Sequence, residues 1–109
     1  MPRRILGSCS AVDLKRVVEV VQTGQDPLPE ELYKGSGKLA LAFVIFSMDA
    51  GMSLEDMADI REVKLWNDSC FEAQLFPRVD QEKRAKWKAA LARPVLINSK
   101  LRRIWVGQE

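Results

Sequence analysis

Histidine is absent from this 109-residue sequence. Histidine is the usual general base near neutral pH and the commonest metal ligand in proteins, so its absence removes both roles at once. No serine lies in a G-x-S-x-G motif, and no histidine is present to activate one. The sequence therefore predicts a protein that is not an enzyme, with no catalytic residues, no metal site and no cofactor.

Cysteine is scarce, because the sequence holds only Cys9 and Cys70 and neither stands in a C-x-x-C pair. Zinc sites are usually built on such pairs, so the spacing excludes a typical zinc site. Two isolated thiols are typical of a reducing compartment, and the apolar region of a secretion signal is missing after Arg3 and Arg4. We therefore expect a cytoplasmic protein. A thiol of unusually low pKa would bring an enzymatic function back into consideration.

The sequence also lacks an apolar run of the roughly 20 residues that a membrane-spanning helix needs. Its most apolar stretch is LALAFVIFSMDA at residues 39–50, and residues 39–46 carry no polar side chain. As a helix this stretch must be buried nearly all round, although an unbroken apolar run is also compatible with a buried strand. Its alanines and leucines favour the helix. We predict a buried central helix here.

Capping and turn signals predict the remaining elements. Ser10 begins a helix that Gly24 ends, Ser53 begins another that fades near Trp66, and Asp80 begins a third. Short helical turns are expected after Pro29 and between residues 70 and 76. The chain is thus predicted to be one mainly α-helical domain of about five helices around residues 39–50. Residues 1–9 form an N-terminal extension, and residues 94–109 form a basic tail or a short β-hairpin, with a final helix as the alternative at 95–106.

Two short patterns resemble chemical sites without completing them. Gly35-Ser36-Gly37-Lys38 is similar to the end of a phosphate-binding loop, but Leu39 stands where a serine or threonine should bind magnesium. The second is an acidic cluster that lacks the histidines of helical metal sites. Its four carboxylates are expected to form a solvated helix face: Glu55, Asp56, Asp59 and Glu62.

Charge is unevenly distributed along the chain although the net charge is only +2. Residues 55–75 hold two basic and six acidic side chains, whereas residues 76–109 hold nine basic and three acidic ones. A basic segment with interleaved tryptophans can contact phosphates and stack on bases. The candidate nucleic-acid-binding residues are therefore the cations of the C-terminal third: Lys83, Arg84, Lys86, Lys88, Arg93, Lys100, Arg102 and Arg103.

Large aromatic residues stand near the predicted turns of this small domain. Aromatics that a small core leaves uncovered are typical of protein interfaces. We therefore predict an interface formed by Trp66, Phe71, Phe76 and Trp105, and a homodimer that buries part of the central helix. The predicted function is that of a small, non-enzymatic interaction or regulatory protein, of a kind common among viral, phage and bacterial accessory factors. The alternative is a regulator that binds nucleic acid through its basic third.

Overall fold

The computed structural model describes residues 2–93 and residue 95. Within them the chain forms three α-helices and one three-stranded antiparallel sheet. In chain order the elements are β1 (Ile5–Ser10), α1 (Ala11–Thr23), a 3-10 turn (Glu30–Tyr33), α2 (Gly35–Asp49), a second 3-10 turn (Glu55–Asp59), β2 (Ile60–Trp66), β3 (Phe71–Leu75) and α3 (Gln81–Leu91). The prediction of a mainly α-helical, all-alpha domain of five helices is therefore wrong. The protein is of mixed α/β class.

The sheet has the order β1-β2-β3, with β2 in the centre. Cys9 lies opposite Val63, and Val63 lies opposite Ala73 on the other side. These inward positions are covered by the helices, whereas Lys64 and Glu72 lie on the opposite, partly exposed face. Such a sheet, with one face on the core and one in water, is a common antiparallel arrangement.

Strand β2 replaces the second half of the helix that was predicted to run from Ser53 to Trp66. The capping box is present, because Ser53 and Asp56 exchange hydrogen bonds, but it begins only the Glu55–Asp59 turn. The pairing with β3 shifts register between Ile60 and Glu62, so a bulge lets Ile60 and Val63 both face the core. The buried residues Ile60 and Val63 are three positions apart, which is also the spacing of buried residues on a helix. The sequence pattern therefore predicted a helix where the chain forms a strand.

Strand β3 replaces the short helix predicted for residues 70–76. Phe71 is buried while Glu72 and Gln74 are exposed, which is the two-residue alternation of a strand. The residues between Trp66 and Cys70 form the turn of a β-hairpin, with Ser69 in the left-handed region at a φ of 63°. The Ser69 carbonyl accepts a hydrogen bond of 2.7 Å from the Val95 N–H. Apart from Val95, the tail, hairpin or helix predicted for residues 94–109 lies outside the described residues.

Helix α1 begins and ends where its local sequence indicates. Ser10 and Asp13 form a reciprocal capping box, and Gly24 takes the left-handed C-cap conformation with a φ of 65°. Leu14, Val17 and Val20 are fully buried on one side of the helix. The buried side attaches α1 to the core and leaves its other side free for contacts.

Helix α2 lies at the centre of the core and carries the apolar stretch of residues 39–46. Phe43 stacks on Trp87 of α3 at a ring distance of 5.8 Å and meets Phe71 of β3 edge-on at 5.3 Å. The helix starts at Gly35, earlier than predicted, and a side chain at Gly37 would come within 2.3 Å of the Glu31 carbonyl oxygen. Gly37 therefore allows close backbone packing, and the Ser36 hydroxyl donates a hydrogen bond to Asp13.

Candidate interaction site

An apolar groove runs along α1. It has a volume of about 440 Å³ and opens to solvent along one side. One wall is the outward side of α1, and the other is the Glu55–Asp59 turn with the residues around it. We call this surface the α1 groove. Its α1 wall consists of Ala11, Lys15, Val18, Glu19 and Gln22, and its opposite wall and floor consist mainly of Leu54, Met57, Ala58, Ile60 and Phe76.

The α1 wall follows from helical geometry. Ala11, Lys15, Val18 and Gln22 are spaced by three or four residues, so they lie on one side of the helix over three turns. At 1.5 Å per residue the wall is roughly 16 Å long. Val18 is half-buried at its base, whereas Lys15 and Gln22 are exposed at its rim. The groove is therefore apolar inside and polar at its edge.

The opposite wall is held in place by hydrogen bonds to backbone atoms. The Phe76 N–H donates to the Asp59 carbonyl at 2.9 Å, which fixes Phe76 beside the Glu55–Asp59 turn. Arg78 donates from Nη2 to the Ala58 carbonyl at 2.9 Å, and its guanidinium lies 4.7 Å from the centre of the Phe76 ring. The wall is thus rigidly placed without using the Ala58 side chain, which is exposed.

A charged cluster behind this wall ties it to α3. Lys83 Nζ lies 2.7 Å from Asp56 Oδ1 and 3.3 Å from Asp59 Oδ2. Trp87 Nε1 donates to the same Asp59 oxygen at 3.0 Å. Asp56 and Asp59 were predicted to form a solvated helix face. They instead contact Lys83 in the first turn of α3. Part of the charge asymmetry seen in the sequence is therefore neutralised inside the protein.

The cluster shifts the pKa values of both partners. Burial acts to raise the pKa of Asp56, but hydrogen bonds from Lys83 and from Ser53 outweigh it and hold that pKa below its ordinary value of 3.8. Hydrogen bonds to Asp56 and Asp59 raise the pKa of Lys83 above its ordinary value of 10.5. Asp56 and Lys83 are therefore both charged across the neutral pH range.

The side chains around the groove offer apolar contacts inside and charged contacts at the rim. Cys9 is buried, and its burial, with the charges of Asp13 and Glu62, raises its pKa to about 12, so its thiol is a poor nucleophile at neutral pH. Residues 2–93 and 95 contain no group of three histidine, cysteine, aspartate or glutamate side chains that could hold a metal ion. Apolar walls with a charged rim suit the side chains of a polypeptide.

Of the candidate nucleic-acid-binding residues that the structure describes, two are engaged in contacts within the chain. Lys83 is paired with Asp56 and Asp59, and Arg84 donates to the carbonyls of Phe76 and Val79. Among the others on or near α3, Lys86 and Lys88 are exposed, and the guanidinium of Arg93 lies 5.2 Å from the centre of the Phe46 ring. The remaining candidates, Lys100, Arg102 and Arg103, lie outside the described residues.

The three candidate interface aromatics that the structure describes lie in different places. Phe71 is buried against Phe43 and Phe46. Trp66 lies at the hairpin end of β2, where its Nε1 donates to Glu72 and the Arg3 guanidinium lies 4.3 Å from the ring centre. Phe76 follows the far end of β3 and contributes to the α1 groove, and Trp105 lies outside the described residues. Of the three described aromatics, Phe76 is the one placed at the groove.

The sequence patterns missed most of the groove because its walls come from distant parts of the chain. A local signal near the groove was Val12, which lies outside the groove lining on the polar side of α1 and is 76% exposed. An apolar residue that stays exposed on a helix with a well-formed buried side is a mild indication of a contact surface.

Comparison of the chain with protein-family models, with curated proteins and with solved structures finds no match. No helix within residues 2–93 and 95 combines the length and the apolar character needed to cross a membrane.

Replacing Lys83 with methionine should destabilise the protein, because it leaves Asp56 and Asp59 beside α3 without their cation. The lowered pKa of Asp56 means that its contribution is present above pH 3.8 and is lost as the pH falls through the folded-state value. The raised pKa of Lys83 means that its contribution is present below pH 10.5 and is lost above it. Thermal unfolding at pH 7 should therefore show a midpoint lowered by several degrees, with a smaller loss near pH 2.

Lys86→Met is the matched control, because Lys86 is exposed on the same helix and has no ion pair within the described residues. It should leave the unfolding midpoint nearly unchanged. Equal losses in the two variants, or a Lys83→Met loss that is the same at pH 2 and pH 7, would contradict the role given to the charged cluster.

The two thiols should react very differently with a disulfide reagent such as dithionitrobenzoate. Cys70 is half-buried and its Sγ lies 3.7 Å from the Asp68 carbonyl oxygen, whereas Cys9 is buried with a pKa of about 12. Native protein at pH 8 should release one equivalent of chromophore quickly, and denatured protein should release two. Cys70→Ser should abolish the rapid reaction, and a rapid reaction that persists in that variant would contradict the burial of Cys9.

Proposed function

We propose that this protein is a small, non-enzymatic interaction protein that binds a protein partner by receiving an amphipathic helix in the α1 groove. The observation that carries the proposal is the groove itself, which has apolar walls on both sides and a volume of about 440 Å³. Met57 and Phe76 lie at its walls, and methionine and aromatic residues are common at protein-binding surfaces. A two-sided apolar groove suits a helix that places apolar side chains three or four residues apart.

The shape and charge of the groove favour a polypeptide over a small molecule. It is open along roughly 16 Å of α1, whereas small-molecule sites enclose most of their ligand and fix it with convergent polar groups. Its charges, Lys15, Glu19 and Glu55, lie at exposed rim positions. A polar rim around an apolar centre is the usual arrangement of a protein interface.

A cytoplasmic location is part of the proposal. Both cysteines are free thiols, and Cys9 is buried in the core as a small apolar residue. Free thiols are typical of proteins that stay in a reducing compartment.

Nucleic-acid binding by the basic third is the less favoured alternative. Lys83 and Arg84 are engaged within the chain, and Asp80 and Glu82 lie among the exposed cations at the start of α3. Fluorescence anisotropy with labelled random duplex DNA at low salt measures this alternative directly. We expect no binding at micromolar protein. Micromolar binding that weakens steeply with salt, and that is lost in Lys86→Ala/Lys88→Ala, would favour the alternative.

A displayed library of random 15-residue peptides, panned on the immobilised protein, tests the groove. We expect enriched peptides with apolar residues at positions i, i+3 or i+4, and i+7. A labelled enriched peptide should bind Ala58→Arg about tenfold or more weakly than wild type, because the new side chain fills the groove.

Ala85→Arg is the matched control for that experiment. Ala85 is an exposed alanine on α3, outside the groove, so its replacement adds the same charge and volume elsewhere. It should leave peptide binding unchanged. A library that yields no binder, or peptides that bind Ala58→Arg as well as wild type, would overturn the proposed function.

A further inference from the structure

We propose that α1 of a second copy of this chain packs antiparallel against the outward side of α1, beside the α1 groove, across a two-fold axis. This inference goes beyond the proposed function, because it adds a self-association contact along the α1 wall. It follows from the order of four side chains along the exposed side of α1, which we call the α1 stripe: Val12, Lys15, Glu19 and Gln22.

The α1 stripe is complementary to itself when it is reversed. Positions 15 and 19 are equally far from position 17, and so are positions 12 and 22. Two antiparallel copies centred at that level therefore place Lys15 of each copy opposite Glu19 of the other. The contact forms two opposite-charge pairs and no like-charge pair, which is the self-complementary pattern that a two-fold interface requires.

Both charges are available for such a contact. Lys15 and Glu19 are exposed, and neither takes part in an ion pair within the described residues. The neighbouring cation Arg16, in contrast, is occupied by Glu31, with Arg16 Nε 2.7 Å from Glu31 Oε1. The chain thus leaves unpaired the two α1 charges that lie at the groove and pairs the one that points away from it.

Val12 supplies the apolar part of the contact. It is 76% exposed, the largest exposed fraction among the large apolar residues of the described chain. In the antiparallel arrangement Val12 of one copy comes level with Gln22 of the other and adds apolar area at the edge of the contact. The same contact covers the half-buried Val18 and the exposed Ala58, which are open to water in a single copy.

Charge reversal tests this arrangement by sedimentation equilibrium or light scattering, from low micromolar to several hundred micromolar protein. Wild type should show a dimer whose fraction grows with concentration. Lys15→Glu alone and Glu19→Lys alone should each weaken the dimer about tenfold or more, because each variant creates two like-charge pairs. The double variant Lys15→Glu/Glu19→Lys should dimerise as wild type does, because both pairs are restored with their signs reversed.

Mixing the two single variants separates the dimer contact from effects within one helix. Lys15 and Glu19 are four residues apart, so each single change also places like charges on one helix and slightly lowers its stability. Mixing cannot repair that loss. It can restore association, because the glutamate introduced in the first variant then lies opposite the lysine introduced in the second, and the two unchanged side chains form the other pair. We expect the equimolar mixture to form a heterodimer, with circular dichroism confirming that every variant is folded.

The outcomes separate this inference from the proposed function. A protein that stays monomeric at several hundred micromolar while the selected peptides still bind the groove would overturn the α1 dimer and leave the proposed function standing. A dimer that is insensitive to the two charge reversals and to Ala58→Arg would also overturn it, because the contact would then lie on another surface. Loss of both dimerisation and peptide binding in Ala58→Arg, with both retained in Ala85→Arg, would support the two together.

Discussion

Helix α2 has no polar side along its middle, so the chain must bury it from every direction. The inner face of the sheet lies on one side through Phe71, α1 packs against another, and α3 closes the remaining side through Trp87. One layer of helices on a three-stranded sheet meets this requirement in a short chain. The outward side of α1 and the edge of the Glu55–Asp59 turn are not used to cover α2. They stay partly exposed and form the two walls of the α1 groove.

The position of α3 joins the core to the groove. Trp87 packs on Phe43 with its ring and donates its N–H to Asp59, and Lys83 one turn earlier holds Asp56 and Asp59. These contacts fix the Glu55–Asp59 turn from behind while its front forms a groove wall. A charge pair of this kind adds little to stability when it is exposed, but here one carboxylate is 7% exposed, so losing its partner is costly. Part of the negative charge in the middle of the sequence is thus paired with positive charge from the C-terminal third.

The parts of the fold that the sequence predicted are those set within a few residues. Ser10, Gly24 and Asp80 cap helices through hydrogen bonds to backbone atoms three or four residues away, and these caps are present. The strands depend on pairing between distant segments, and the bulge at Arg61 gave β2 a spacing that resembles a helix. The groove also depends on contacts between distant segments, since Val18, Ala58 and Phe76 come together only in the folded chain. It could not be predicted from local sequence patterns.

The central proposal is that the contact surface of this protein is the α1 groove and not the basic side of α3. Amide chemical shifts of isotope-labelled protein, followed in two-dimensional NMR spectra as concentration rises, locate the contact surface residue by residue. We expect concentration-dependent shifts at Val12, Lys15, Gln22 and Ala58, with the amides of Lys86 and Lys88 unmoved. Shifts confined to α3 or to the exposed face of the sheet, with α1 unmoved, would contradict it.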